Sequence, residues 1–105
     1  MPTESDILAA LEPLQLDQAL GDWPRYDGAP AVPGDDSRFE RFHIPLAQDQ
    51  YRDAYNYDVL LDADTGRFWI LRSGGFTGRV TTFGPATLVN GRVVPAEEYA
   101  DPAQG

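Results

Sequence analysis

The chain has 105 residues, 17 of them acidic and 8 basic, for a formal net charge of −9. The basic residues are all arginine, and there is neither lysine nor cysteine. The length fits a single domain, the missing cysteine excludes disulfides, thiolate nucleophiles and cysteine metal sites, and the acidity argues against binding nucleic acid or an anionic membrane, which need cationic surface. The same charge fits a basic protein partner or simple solubility. The absence of lysine reads as compositional. No basic-then-apolar leader opens the sequence and no apolar run approaches membrane-spanning length, so a soluble, cytoplasmic protein is expected.

The first element expected is a helix beginning near Ser5-Asp6-Ile7-Leu8. Thr3 or Ser5 can accept from the free N–H groups of the first turn, and Asp6 suits the positive end of the helix dipole. Ile7, Leu8 and Leu11 share a face, and Pro13 should break the segment. Leu14, Leu16 and Leu20 continue it as a second short turn stopped at Gly21. Residues 21–37 carry repeated glycine and proline breakers and read as a long loop, which Trp23 and Tyr26 can anchor to the body.

Phe39–Ile44 is a strand candidate closed by Pro45. Residues 46–57 read either as a short helix or as an irregular loop. Tyr57–Asp62 and Arg67–Arg72 flank Ala63-Asp64-Thr65-Gly66, a hairpin signal in which aspartate bonds its own following backbone and Gly66 takes the positive φ. Val80–Phe83 forms a further short strand ending at Gly84-Pro85. Ala86–Val89 and Arg92–Val94 meet at Asn90-Gly91, the pair suited to a type I′ turn. Ala96–Tyr99 is a candidate last helical turn, and residues 100–105 are expected to fray. The expected fold is α+β: one or two N-terminal helices within residues 1–20, then a mostly antiparallel sheet of about five or six short strands within 38–95, as one domain.

The central hairpin does not alternate apolar and polar residues. Val59 and Leu61 should share a face with Phe68 and Ile70, and Leu60 should face the other way with Trp69 and Leu71. One face packs on the helices. The other must be covered by the long loop, by residues 46–57 or by a partner.

Candidate chemistry is sparse. His43 is the sole histidine, and no serine elbow accompanies it; a packed or rim residue is the plainer reading. Asp62-Ala63-Asp64-Thr65-Gly66 departs from a calcium loop at its third acidic position, its glycine and its twelfth position, Ser73, so a turn is the better account. Gly74-Gly75-Phe76-Thr77-Gly78-Arg79 lacks the ending of a phosphate loop, although consecutive N–H groups beside Arg72 and Arg79 could form an anion nest. Asp58 and Asp62 lie on one face but apart along the strand, and read as solvated turn and edge charges. No metal, cofactor or catalytic residue is expected.

The stretch YDVLLDADTGRFWILRSGGFTGRVTTFGP, Tyr57 to Pro85, resembles the central hairpin of small immunity proteins found beside bacterial polymorphic and type VI secreted toxins. The shared features are a strand ending Asp-x-Asp-Thr-Gly-Arg, an aromatic Phe-Trp-Ile strand, an Arg-Ser-Gly-Gly turn and a closing Phe-Gly-Pro. Residues 1–56 carry no part of the likeness. The resemblance implies a small acidic protein that is not an enzyme and blocks a cognate toxin over or near a basic active-site cleft, with charge complementarity speeding association. On that reading the expected toxin contacts are Asp35, Asp36, Asp49, Tyr51, Asp53 and Tyr55, which set rings beside carboxylates in loops, followed by Trp69, Arg72 and Phe76. The competing expectation is a small intracellular anion- or ligand-binding module using the Arg72–Arg79 turn.

Overall fold

A computed structural model of the chain describes residues 1–35, 37–45, 55–74 and 78–104. Helix α1, Glu4–Leu11, starts at a reciprocal cap. The Thr3 hydroxyl accepts from the Asp6 N–H at 3.2 Å, and the Asp6 carboxylate accepts from the Thr3 N–H at 2.9 Å, so two first-turn donors are satisfied at once. These bonds, the one from the Thr3 backbone foremost, hold the Asp6 carboxyl below its ordinary value. Helix α2, Leu16–Ala19, follows the expected interruption at Pro13 and runs into a 3-10 turn, Leu20–Asp22. Ile7, Leu11, Leu16 and Leu20 are all buried.

Among the described residues six strands form one antiparallel sheet: β1 Arg25–Tyr26, β2 Phe39–His43, β3 Tyr55–Asp62, β4 Phe68–Gly74, β5 Arg79–Val89 and β6 Arg92–Pro95. The order is β1-β5-β4-β3-β2, with β6 also pairing with β5. This is the expected α+β architecture. The register of β3 on β4 sets Val59 opposite Ile70, Leu60 opposite Trp69 and Leu61 opposite Phe68, so the two apolar faces divide as the alternation predicts.

On the first face, Val59, Leu61, Phe68, Ile70, Phe83 and Ala86 pack against the helical leucines, Ile7 and Trp23. Trp23 sets its ring edge-on to Phe68, with centroids 6.3 Å apart. The second face holds Leu60, Trp69 and Leu71, packed by Phe39, Val80 and Tyr99. Trp69 is fully buried there, and its indole N–H donates to the Ala100 carbonyl at 2.8 Å.

The C-terminal segment is where sequence and structure part. Residues 100–105 were expected to fray. Instead Pro102 is buried and Pro102–Gln104 forms a 3-10 turn. A buried indole N–H needs an acceptor, and the segment supplies it. Ala96–Tyr99 is not helical. The Ala96 N–H still donates to Pro85 O at 2.8 Å, which keeps the chain on the sheet before it crosses the second face. There Tyr99 stacks on Tyr26, centroids 5.4 Å apart. The long loop contributes as well: the Thr82 hydroxyl donates to Gly28 O at 2.7 Å, and Arg25–Tyr26 pairs with β5 as β1.

Two further expectations change. The strand break at Gly84-Pro85 is a bulge inside one long strand, with the register shifting between Phe68 and Ile70. Gly84 has φ +133°, and a Cβ there would lie 3.1 Å from Phe68 O; only glycine fits so close an approach. The Gly84 N–H donates to Pro24 O at 2.8 Å, so the bulge still satisfies its backbone. Asp62 is fully buried rather than solvated. Its Oδ1 accepts from the Asp64 and Thr65 N–H groups at 3.0 and 3.4 Å, and Arg38 Nε lies 3.8 Å from Oδ2. A carboxylate can be buried when backbone donors and a cation meet it, and here it fixes the β3–β4 turn. No helix among the described residues is long and apolar enough to cross a membrane.

A chain ended after Glu98, in a Trp23→Phe background, is expected to red-shift the Trp69 fluorescence and to lose roughly 3 kcal/mol of stability through exposed ring area and an orphaned indole N–H. Unchanged emission would show that the segment does not cover Trp69. Burial, with the charge of Asp101 second, raises the Tyr99 phenol from 10.0 to about 12. Folded protein then keeps this proton where unfolded chain has lost it, so the contribution is complete below pH 10 and is lost as pH rises toward 12. The phenolate absorbance difference between the folded parent protein and Tyr99→Phe should show the Tyr99 step displaced upward toward pH 12.

Candidate partner-binding surface

Tyr55 opens β3 opposite Gly74, and Tyr57 lies opposite Arg72. Alternation puts Tyr55, Tyr57 and Arg72 on the first face, toward its end. Tyr57 and Phe83 are buried, whereas Tyr55 is 37% exposed. The Arg72 guanidinium lies 5.0 Å from the Tyr55 ring centroid and 5.1 Å from that of Phe83. Tyr55 in turn meets Tyr57 edge-on at 6.4 Å. Buried rings thus form a floor, Tyr55 a wall, and a half-buried cation is held between them. Ring and guanidinium of this kind, fixed in place before contact, are what protein interfaces use as anchors.

A second group sits on the opposite face at the β2 edge. Arg41 and His43 are two apart and share that face with Asp58, which is opposite His43. Arg41 Nε and Nη2 both reach Asp58 Oδ2, at 3.1 and 3.0 Å, and His43 Nδ1 lies 3.1 Å from Oδ1. Asp58 is therefore partnered rather than a solvated edge charge. With Nδ1 donating to the carboxylate, Nε2 of His43 is left toward solvent. An aspartate-oriented imidazole is one half of a general-base arrangement. Across the sheet, however, Asp58 faces Leu71, an apolar side chain with no proton to give. Exposed ion pairs of this kind contribute up to about 1 kcal/mol.

The other expected contacts divide sharply. Asp35 is exposed and accepts from the Ser37 N–H at 3.3 Å, a local turn contact. Trp69 is fully buried and offers no surface; it supports the sheet from within. Asp36, Asp49, Tyr51, Asp53 and Phe76 lie outside the described residues, as does most of the 46–57 segment that read as helix or loop. The Arg41–Asp58–His43 group was not anticipated. The i, i+2 spacing of Arg41 and His43 signals a shared face, but no sequence rule gives the β2–β3 register across residues 44–54 that brings Asp58 to them.

An open groove runs between α1 and the β5–β6 hairpin, lined by Met1, Pro2, Ala9, Ala10 and Leu88. Its one charged side chain, Asp6, is already engaged in the helix cap. Among the described residues no three metal-ligating side chains cluster. No protein-family model, curated protein or solved structure matches this chain.

A double-mutant cycle on Tyr55→Leu and Arg72→Gln, read by urea denaturation, is expected to give a coupling of about 0.5–1 kcal/mol, the range for a partly exposed cation–π contact. A coupling indistinguishable from zero would mean that the stack does not hold Arg72 in place.

Proposed function

We propose that this protein neutralises a cognate secreted bacterial toxin by binding over its active-site cleft, acting in the cytoplasm by occlusion rather than catalysis. The observation that carries the reading is the disposition of charge. Of the acidic residues in the described chain, all but Asp58, Asp62 and Asp101 are exposed. The excess of carboxylates is therefore presented outward and not consumed in the fold. A surface of this sign attracts a basic cleft, speeds encounter and disfavours partners of like charge. The resemblance of residues 57–85 to immunity-protein hairpins supports the same reading. Tyr55 and Arg72 are the anchors on this proposal, with Asp35, Asp36, Asp49, Tyr51, Asp53 and Phe76 as surrounding contacts.

Affinity capture of the tagged protein from its native cell lysate, followed by mass spectrometry, is expected to return a stoichiometric fragment from the C-terminal end of a large secreted protein. Association with that fragment should slow steeply as salt rises, because the attraction is screened within about 10 Å at 0.1 M ionic strength. Charge reversal at Asp49 and Asp53 combined with Tyr51→Ala should weaken it. Clean recovery without a partner, or binding indifferent to the triple change, would sink the reading.

A second reading, a small intracellular anion-binding module, is favoured by one observation: Arg72 is ordered by two rings yet makes no ion pair among the described residues.

A further inference from the structure

Strand β2 is the last strand at one end of the sheet. Two bonds fix which of its backbone groups face β3. The Ala63 N–H donates to Arg38 O at 2.8 Å, and the Ile44 N–H donates to Tyr57 O at 2.9 Å. Bonded and unbonded pairs alternate along an antiparallel ladder. With Glu40 opposite Leu61 and Phe42 opposite Val59, it is Glu40 and Phe42 that bond to β3. The N–H and C=O groups of Phe39, Arg41 and His43 therefore point away from the sheet. Among the described residues no backbone group meets them.

An unpaired row of this kind is a template for another strand, and sheets ordinarily blunt it with short length, proline, a bulge or outward charge. The opposite side of this sheet is blunted: β1 has two residues, and β6 ends at Pro95. Strand β2 runs for five residues without a proline, and its register on β3 is unbroken. Its arginine does not guard the edge either. The Arg41 guanidinium is turned back over the sheet to Asp58, at 3.0 Å.

We propose that β2 is a dimerisation edge, pairing antiparallel with β2 of a second copy of this chain across a two-fold axis, so that one sheet runs through both. A single register engages every outward group: Arg41 opposite the partner's Arg41, and Phe39 opposite the partner's His43. Each such pairing exchanges two backbone bonds, and an isologous contact closes on itself. The side chains are compatible with that register. Phe39 meets the imidazole of the partner's His43 on the second face, and Glu40 meets the partner's Phe42 on the first.

Charge favours a second copy as the occupant. Two chains of net charge −9 repel one another and meet most readily where charge is locally balanced. It is balanced here: Arg41 and His43 share Asp58, and Arg38 lies 3.8 Å from Asp62. Like charges opposed across a strand pair are unfavourable, but each opposed Arg41 is neutralised by its own Asp58. A basic partner is drawn instead to the outward carboxylates elsewhere on the surface. This inference rests on neither functional reading above.

The test is sedimentation equilibrium of the full chain at rising concentration, with amide hydrogen exchange followed by NMR on the same samples. A reversible dimer is expected at roughly 0.1–1 mM, weak because edge pairing buries less than a standard interface. Raising salt from about 0.02 to 0.5 M should tighten it severalfold, since screening removes the net repulsion. As the dimer forms, the amides of Phe39, Arg41 and His43 should slow, whereas those of Glu40 and Phe42, already bonded to β3, should change little. Arg41→Pro removes an outward N–H without taking a bond from β3, and should weaken the dimer about tenfold or more. Arg41→Gln, which loses the charge and keeps the N–H, should still dimerise. The exchange pattern of the parent protein keeps the test open if Arg41→Pro fails to fold. Monomer at every concentration and salt would overturn the proposal. So would a dimer that Arg41→Pro leaves intact, or one in which the three outward amides exchange as before. Slowing of those amides only on adding a captured partner would give the edge to that partner's strand, and would overturn self-pairing as well.

Discussion

The β3–β4 hairpin is apolar on both faces, and everything else in the chain is arranged around covering it. A chain of 105 residues cannot leave Leu60, Trp69 and Leu71 in water on one side of its sheet and Val59, Phe68 and Ile70 on the other. Fully burying one such side chain contributes roughly 1.5–3 kcal/mol, a large share of a small domain's net stability. The helices cover one face in the ordinary way. The other is covered from the sheet itself by Phe39 and Val80, and from a segment with little regular structure by Tyr99 and the Ala100 carbonyl. The order of that segment follows from what lies beneath it.

The same constraint explains the conformations that look exceptional. Asp62 gives up solvent because the hairpin needs a fixed turn, and its carboxylate organises that turn through backbone donors. Gly84 bends β5 so that one continuous strand passes Phe68 and Trp69 at close range and carries β1 and β6 along its outer side. Each is a local cost that the central layer offsets through burial.

This also decides what could be read from sequence. The two hairpins, the capped first helix and the division of the central strands into two faces are set by local chemistry: Asn90-Gly91, Asp64-Thr65-Gly66, Thr3 with Asp6, and a period of two. They were legible for that reason. The coverage of the second face was not, because it rests on one long-range bond, from Trp69 to Ala100, between segments that give no local signal of meeting. The Arg41–Asp58–His43 group failed for the same cause, since strand register across residues 44–54 is not a local property. The pairing of Arg25–Tyr26 with β5 was missed because β1 is two residues long, inside a stretch whose composition says loop. Local rules reported the elements faithfully; the surface chemistry depends on which elements become neighbours.

The use of arginine follows from the same crowding of rings. Among the described residues, guanidinium groups lie over Phe39, Trp69, Tyr55 and Phe83, at 4.8, 5.7, 5.0 and 5.1 Å. A flat cation can cover an aromatic ring and still turn its N–H edge to water or an anion, whereas an ammonium offers a point charge with no plane to stack. Whatever compositional pressure removed lysine, arginine serves this architecture in a way lysine could not. It shields rings that a two-faced hairpin brings near the surface and keeps positive charge on an acidic protein. Arg38 does both, standing over Phe39 while its Nε lies 3.8 Å from the buried Asp62. Arg72 has the stacking without a carboxylate, and that asymmetry sets its end of the sheet apart from the rest of the acidic surface.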